Sequence, residues 1–121
     1  MQKLTKAEEE IMQIIWRLER CLVSDIIKDL APAKPPHSSI SSIVRILEKK
    51  GFVDHKAYGR TYEYFPIISK KEYSKSSLSK LVQDYFGGSP DQLVSFLVRE
   101  NDLSVRDLEE LIDEIDKSPN A

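Results

Sequence analysis

A chain of 121 residues that is 40% apolar and 31% charged can pack one small core, or a domain with an appendage, beneath a well-solvated surface. It has no apolar run long enough to cross a membrane, its charged start (Lys3, Lys6, Glu8 to Glu10) does not resemble a secretory leader, and its single Cys21 cannot form an internal disulfide, so a reducing cytoplasm is the expected location. The net charge of −2 conceals a polarity, with −1 over residues 1–33, +6 over 34–80 and −7 over 81–121; a basic middle beside an acidic tail is expected where one part meets phosphate.

In chain order, Thr5 and Glu8 form a capping box after Leu4, and Ala7, Ile11, Ile14, Ile15 and Leu18 continue as an apolar stripe, which predicts a helix over about residues 6–19. Ser24 is expected to cap a short second helix, Asp25 to Leu30, with Ile26, Ile27 and Leu30 inward. The segment Ala31-Pro-Ala-Lys-Pro-Pro36 cannot stay helical and predicts a turn. A third helix, Ser38 to Lys50, follows, with Ile40, Ile43, Val44 and Leu47 at the spacing that buries one face. Its other face carries Ser38, Ser41, Ser42, Arg45 and Lys49, small hydroxyls and cations suited to a groove lined by phosphates and base edges. Gly51 is placed to end it in a left-handed conformation.

Phe52 and Val53 then start a strand, with Thr61 to Phe65 as its antiparallel partner and Lys56-Ala-Tyr-Gly-Arg60 as the connection. Two helices, a proline-bounded turn, a polar-faced helix and a basic hairpin make a winged helix-turn-helix over residues 1–68. Residues 69–121 read as a helical dimerisation region. Ser69 and Glu72 open a helix to about Phe86, Gly87-Gly88 breaks it, Ser89 and Pro90 start a helix apolar nearly all round, and Ser104 and Asp107 cap a last one. Phe86, Leu93, Phe96, Leu97, Leu108, Leu111, Ile112 and Ile115 are too much apolar surface for three short helices to cover, and a second copy of the chain is the expected cover. The fold class expected is therefore mainly α with a small β-hairpin.

The candidate contacts to double-stranded DNA are Ser38, Ser39, Ser41, Ser42, Arg45, Lys49, Lys50, Lys56, Tyr58 and Arg60. Arg45 is the foremost base-reading candidate, since a guanidinium can hold guanine O6 and N7 together. Its competing role is a surface ion pair with Glu48, and Ser39 competes as a helix cap. An enzyme is not expected: Cys21, His37 and His55 carry no catalytic signature and no zinc spacing, and no cofactor or metal is implied. A winged helix that binds another protein rather than DNA is the alternative, and the basic middle argues against it.

Leu4-Thr5-Lys6-Ala7-Glu8 through Ile15-Trp16, Val23-Ser24-Asp25-Ile26, Ser39-Ile40-Ser41-Ser42, Leu47-Glu48-Lys49-Lys50-Gly51 and Gly59-Arg60-Thr61-Tyr62-Glu63-Tyr64 stand in an order and spacing that resemble the penicillinase-repressor (BlaI/MecI/CopY) family of bacterial transcription regulators. The resemblance runs from Leu4 to about Ile115 and implies a homodimeric winged-helix repressor, released when a membrane sensor metalloprotease triggers cleavage in the C-terminal helices. The family's cleavage site, an Asn-Phe pair, aligns with Ser95-Phe96, and a family arginine aligns with Ile46. The Cys-rich tail of copper-responsive relatives has no counterpart here.

Overall fold

The computed structural model describes residues 2–100, 104, 106, 107, 109 and 110. The chain is mainly helical with one two-stranded antiparallel hairpin, and its described residues form two compact units that divide between Lys70 and Lys71.

The first unit holds α1 (Lys6–Leu18), α2 (Val23–Asp29), α3 (His37–Lys49), β1 (Val53–Tyr58) and β2 (Thr61–Pro66). The α1 cap is the expected box: the Glu8 N–H donates to Thr5 Oγ1 at 3.2 Å and the Thr5 N–H to Glu8 Oε1 at 3.3 Å. The helix ends at Glu19, whose φ of 66° is left-handed, and the Arg20 N–H closes onto the Leu18 carbonyl at 2.7 Å. This tight γ-turn is strained for a residue with a side chain. It swings the chain so that Cys21 pairs with Tyr64 of β2, Cys21 N–H to Tyr64 O at 3.0 Å and Tyr64 N–H to Cys21 O at 2.7 Å. The wing is thereby stitched to the α1–α2 connection, a long-range pairing that local sequence did not signal.

Helix α2 begins before Ser24, and its cap is different from the one expected. The Asp25 carboxylate reaches back to accept the Leu22 N–H at 2.8 Å, so Ser24 lies inside the helix and exposed. Helix α3 begins at His37 with no side-chain cap and buries Ile40, Val44 and Leu47, while Ile43 is half-buried. Its end follows the expected glycine. With Gly51 at φ 84°, the Gly51 N–H bonds the Glu48 carbonyl at 3.0 Å and the Phe52 N–H bonds that of Leu47 at 2.9 Å. This is the Schellman pattern, and Phe52 and Leu47 are both fully buried beside it. Met12, Ile15, Ile26, Val44 and Val53 complete the core.

The strands are longer than expected. They remain paired out to Tyr58 and Thr61, so the turn is only Gly59-Arg60, with Gly59 at φ 65°, and Lys56 to Tyr58 belong to β1.

Glu8 has a second task. It is buried, and the same Oε1 that closes the cap accepts the Lys50 ammonium, which also donates to the Lys3 carbonyl at 3.3 Å. The ammonium, aided by the Thr5 bonds and opposed by burial, holds the Glu8 carboxyl below its ordinary 4.5. A carboxyl depressed in the folded state contributes stability that is present above the unfolded value and lost as pH falls through the folded one. Glu8→Gln should therefore cost about 1–2 kcal/mol at pH 7. The difference from wild type in urea midpoint should shrink as the pH falls below 4.5; a pH-independent difference would contradict the ion pair's role.

The second unit contains most of α4 (Lys70–Tyr85) and all of α5 (Pro90–Glu100). They are separated by Gly87 and Gly88, which adopt φ 59° and 78°. Tyr73 and Val82 are the buried residues of α4, whereas α5 buries none fully. Ser104 and Asp107 form the expected reciprocal cap, each N–H meeting the other's side-chain oxygen at 3.0 Å. No described helix is long and apolar enough to cross a membrane.

Candidate nucleic-acid interface

The start of α2, the outward face of α3 and the beginning of β2 enclose an open groove of about 470 Å³. It brings together Ser41, Arg45 and Arg60, three of the expected contacts, with Ser24, His37, Thr61 and Tyr62, which sequence reasoning did not select. Two guanidinium groups, five hydroxyls (Tyr64 included) and an imidazole thus line one concavity, a donor-rich set suited to anionic oxygens.

Ser38, Ser39, Ser42 and Lys49 are exposed on α3. The Ser42 hydroxyl donates to the Ser38 carbonyl at 2.9 Å. Among the described residues Arg45 has no carboxylate partner: Glu48, its expected competitor, pairs instead with His55 Nδ1. His55 also stacks on Tyr62, ring centroids 4.3 Å apart, so the last turn of α3 supports a tyrosine that lines the groove. Lys56 and Tyr58 are exposed on β1, with the ammonium 5.4 Å over the Tyr58 ring. Lys50 is the exception: its ammonium is engaged by Glu8 towards α1 rather than presented with Lys49, because the last turn of α3 packs beside the first turn of α1.

Glu48, Asp54 and His55 place potential metal-ligand atoms within 4.8 Å of one another. Each is already occupied, Glu48 and His55 by one another and Asp54 by the His55 N–H at 2.8 Å, which makes the group an α3–β1 tie. Burial pushes the Cys21 thiol up to about 11, so it is not a poised nucleophile.

In the second unit Phe86, Leu93 and Leu97 are half-buried and Phe96 is 45% exposed, its ring 5.5 Å from that of Phe86. Leu78, Leu81, Tyr85 and Val94 are further exposed apolar side chains. Ser95 is exposed on α5. Leu108, Leu111, Ile112 and Ile115 lie outside the described residues.

Residues 4–117 match the family described as penicillinase repressor. The methicillin resistance regulatory protein MecI of Staphylococcus aureus is 26% identical over 110 residues, covering 90% of this chain and 89% of that protein. The penicillinase repressor of Bacillus licheniformis is 23% identical over 120 residues, 98% and 93% of the two chains. Among solved structures, the DNA binding domain of the repressor BlaI superposes with a TM-score of 0.51 at 30% identity, over 60% of this chain and 94% of that one.

Proposed function

The chain belongs to the penicillinase repressor family, whose members are transcriptional repressors and not enzymes, and from that premise we propose that it acts in the cytoplasm as a homodimer on a two-fold-symmetric operator. The observation that carries this reading is the groove shared by Arg45 of α3 and Arg60 of the wing. Helix α3 enters the major groove, where Arg45 reads a base and Ser38, Ser39, Ser41, Ser42 and Lys49 flank it. The wing lays Lys56, Tyr58 and Arg60 along a neighbouring phosphate strand, and Ser24 anchors the start of α2 in the same way. Lys50 is left out of these contacts because Glu8 holds it.

The second unit supplies the dimer through Phe86, Leu93, Phe96 and Leu97, continued by Leu108, Leu111, Ile112 and Ile115, which brings two reading heads to one operator. Relief by a membrane sensor metalloprotease or a downstream protease, with Ser95-Phe96 as the cut bond, rests on the family resemblance alone; both residues are exposed in α5, and a cut there requires that helix to open locally.

Cations that meet phosphate leave a signature in salt. Arg60→Ala, and separately Lys56→Ala, should weaken binding to operator and random DNA alike and reduce the slope of log affinity against log salt by about one unit each. Titrations at three or more salt concentrations read this directly, and an unchanged slope for both variants would remove the wing from the phosphate contacts.

A further inference from the structure

Helix α3 leaves one large apolar side chain uncovered. Ile46 is 41% exposed, while Ile40, Val44 and Leu47, about 100° or more away around the helix, are buried. At about 100° per residue, Ile46 lies roughly 40° from Ser42 around the helix and about 100° from Arg45. It therefore belongs to the face proposed above to enter the major groove, on the flank away from the wing. Ser42, about one turn before it on that flank, is unusual in what it can offer. The Ser42 proton is spent on the Ser38 carbonyl at 2.9 Å, so the oxygen turns its lone pairs outward and serves as an acceptor.

An apolar group and an acceptor about one helical turn apart suit one base pair best. An A·T pair shows the thymine C5-methyl at one end of its major-groove edge and the adenine N6 donor beyond thymine O4, whereas a G·C pair offers the cytosine N4 donor but no methyl. We infer that Ile46 reads the C5-methyl group of a thymine in the operator, with Ser42 accepting from the paired adenine, so that this flank of α3 specifies A·T while Arg45 specifies guanine on the other. The inference rests on the reading that α3 enters the major groove.

The test uses the full-length protein and DNA selected by it from a randomised pool, remade with uracil in place of thymine at single positions. Uracil pairs identically and lacks only the methyl. At one thymine per half-site, wild type should bind the uracil version about fourfold more weakly, the value of one buried methyl. Ile46→Ala, with its helix content checked against wild type by circular dichroism, should bind the parent DNA at least fourfold more weakly and no longer distinguish thymine from uracil. Indifference of wild type to uracil at every position, with specific DNA in hand, overturns the inference and leaves the repressor reading intact. Retention of the discrimination by Ile46→Ala also overturns it, since another residue then reads the methyl. If selection enriches no DNA, the inference and the repressor reading fall together.

Discussion

Phe96→Glu is expected to convert the proposed dimer to a monomer and to lower operator affinity by about a hundredfold or more. Helix α5 is poorly covered: no residue of this helix is fully buried, Val94 and Phe96 are more than two-fifths exposed, and the Phe96 ring leans on Phe86. Leu78, Leu81 and Tyr85 of α4 are exposed as well. Removing such side chains from water is favourable, and a second copy offers a self-complementary cover. A carboxylate at Phe96 would have to be desolvated without a partner in such an interface, at a cost of several kcal/mol. Once the dimer separates, each head binds its half-site alone and the gain from linked binding is lost. Sedimentation equilibrium gives the oligomeric state and anisotropy the affinity. A variant that remains dimeric places the interface elsewhere, and a monomer with undiminished operator affinity contradicts the two-headed reading.

Arg45→Ala carries the next largest effect, about 1–3 kcal/mol at the cognate site with little change on random DNA. The local carboxylate that would neutralise this guanidinium is already taken: Glu48 is paired with His55, and Arg45 faces the groove together with Arg60. A bidentate grip on guanine is lost with the side chain, whereas the phosphate contacts of Lys49 and the wing remain. Competition of labelled operator against scrambled DNA separates the two terms. Equal losses on both would make Arg45 a phosphate contact rather than a reader.

The parts of this fold legible in the sequence were those written in local periodicity and turn chemistry. The spacing of Ile40, Val44 and Leu47 gave the buried face of α3, Thr5 with Glu8 gave its cap to α1, and Gly51 gave the left-handed exit before the wing. What the sequence concealed was set by contacts between distant segments. Lys50 looks like Lys49 to a reader of neighbours, yet its partner Glu8 is 42 positions away. Ser24 resembles a cap because it precedes Asp25, but the longer reach of the Asp25 carboxylate to Leu22 starts the helix earlier and frees Ser24 for the groove. Thr61 and Tyr62 read locally as strand residues; the register that sets Tyr58 against Thr61 brings them to the groove that Arg45 lines. Lys56 to Arg60 reads as a loop for a related reason, whereas two residues suffice once Gly59 takes a positive φ.

Fluorescence anisotropy with the DNA upstream of the chain's own gene against scrambled DNA, each at two salt concentrations, tests whether the protein is a sequence-specific repressor. Salt-sensitive binding with a preference of about a thousandfold or more for the upstream DNA is expected. Equal affinity for both sequences, or no binding to either, would contradict it.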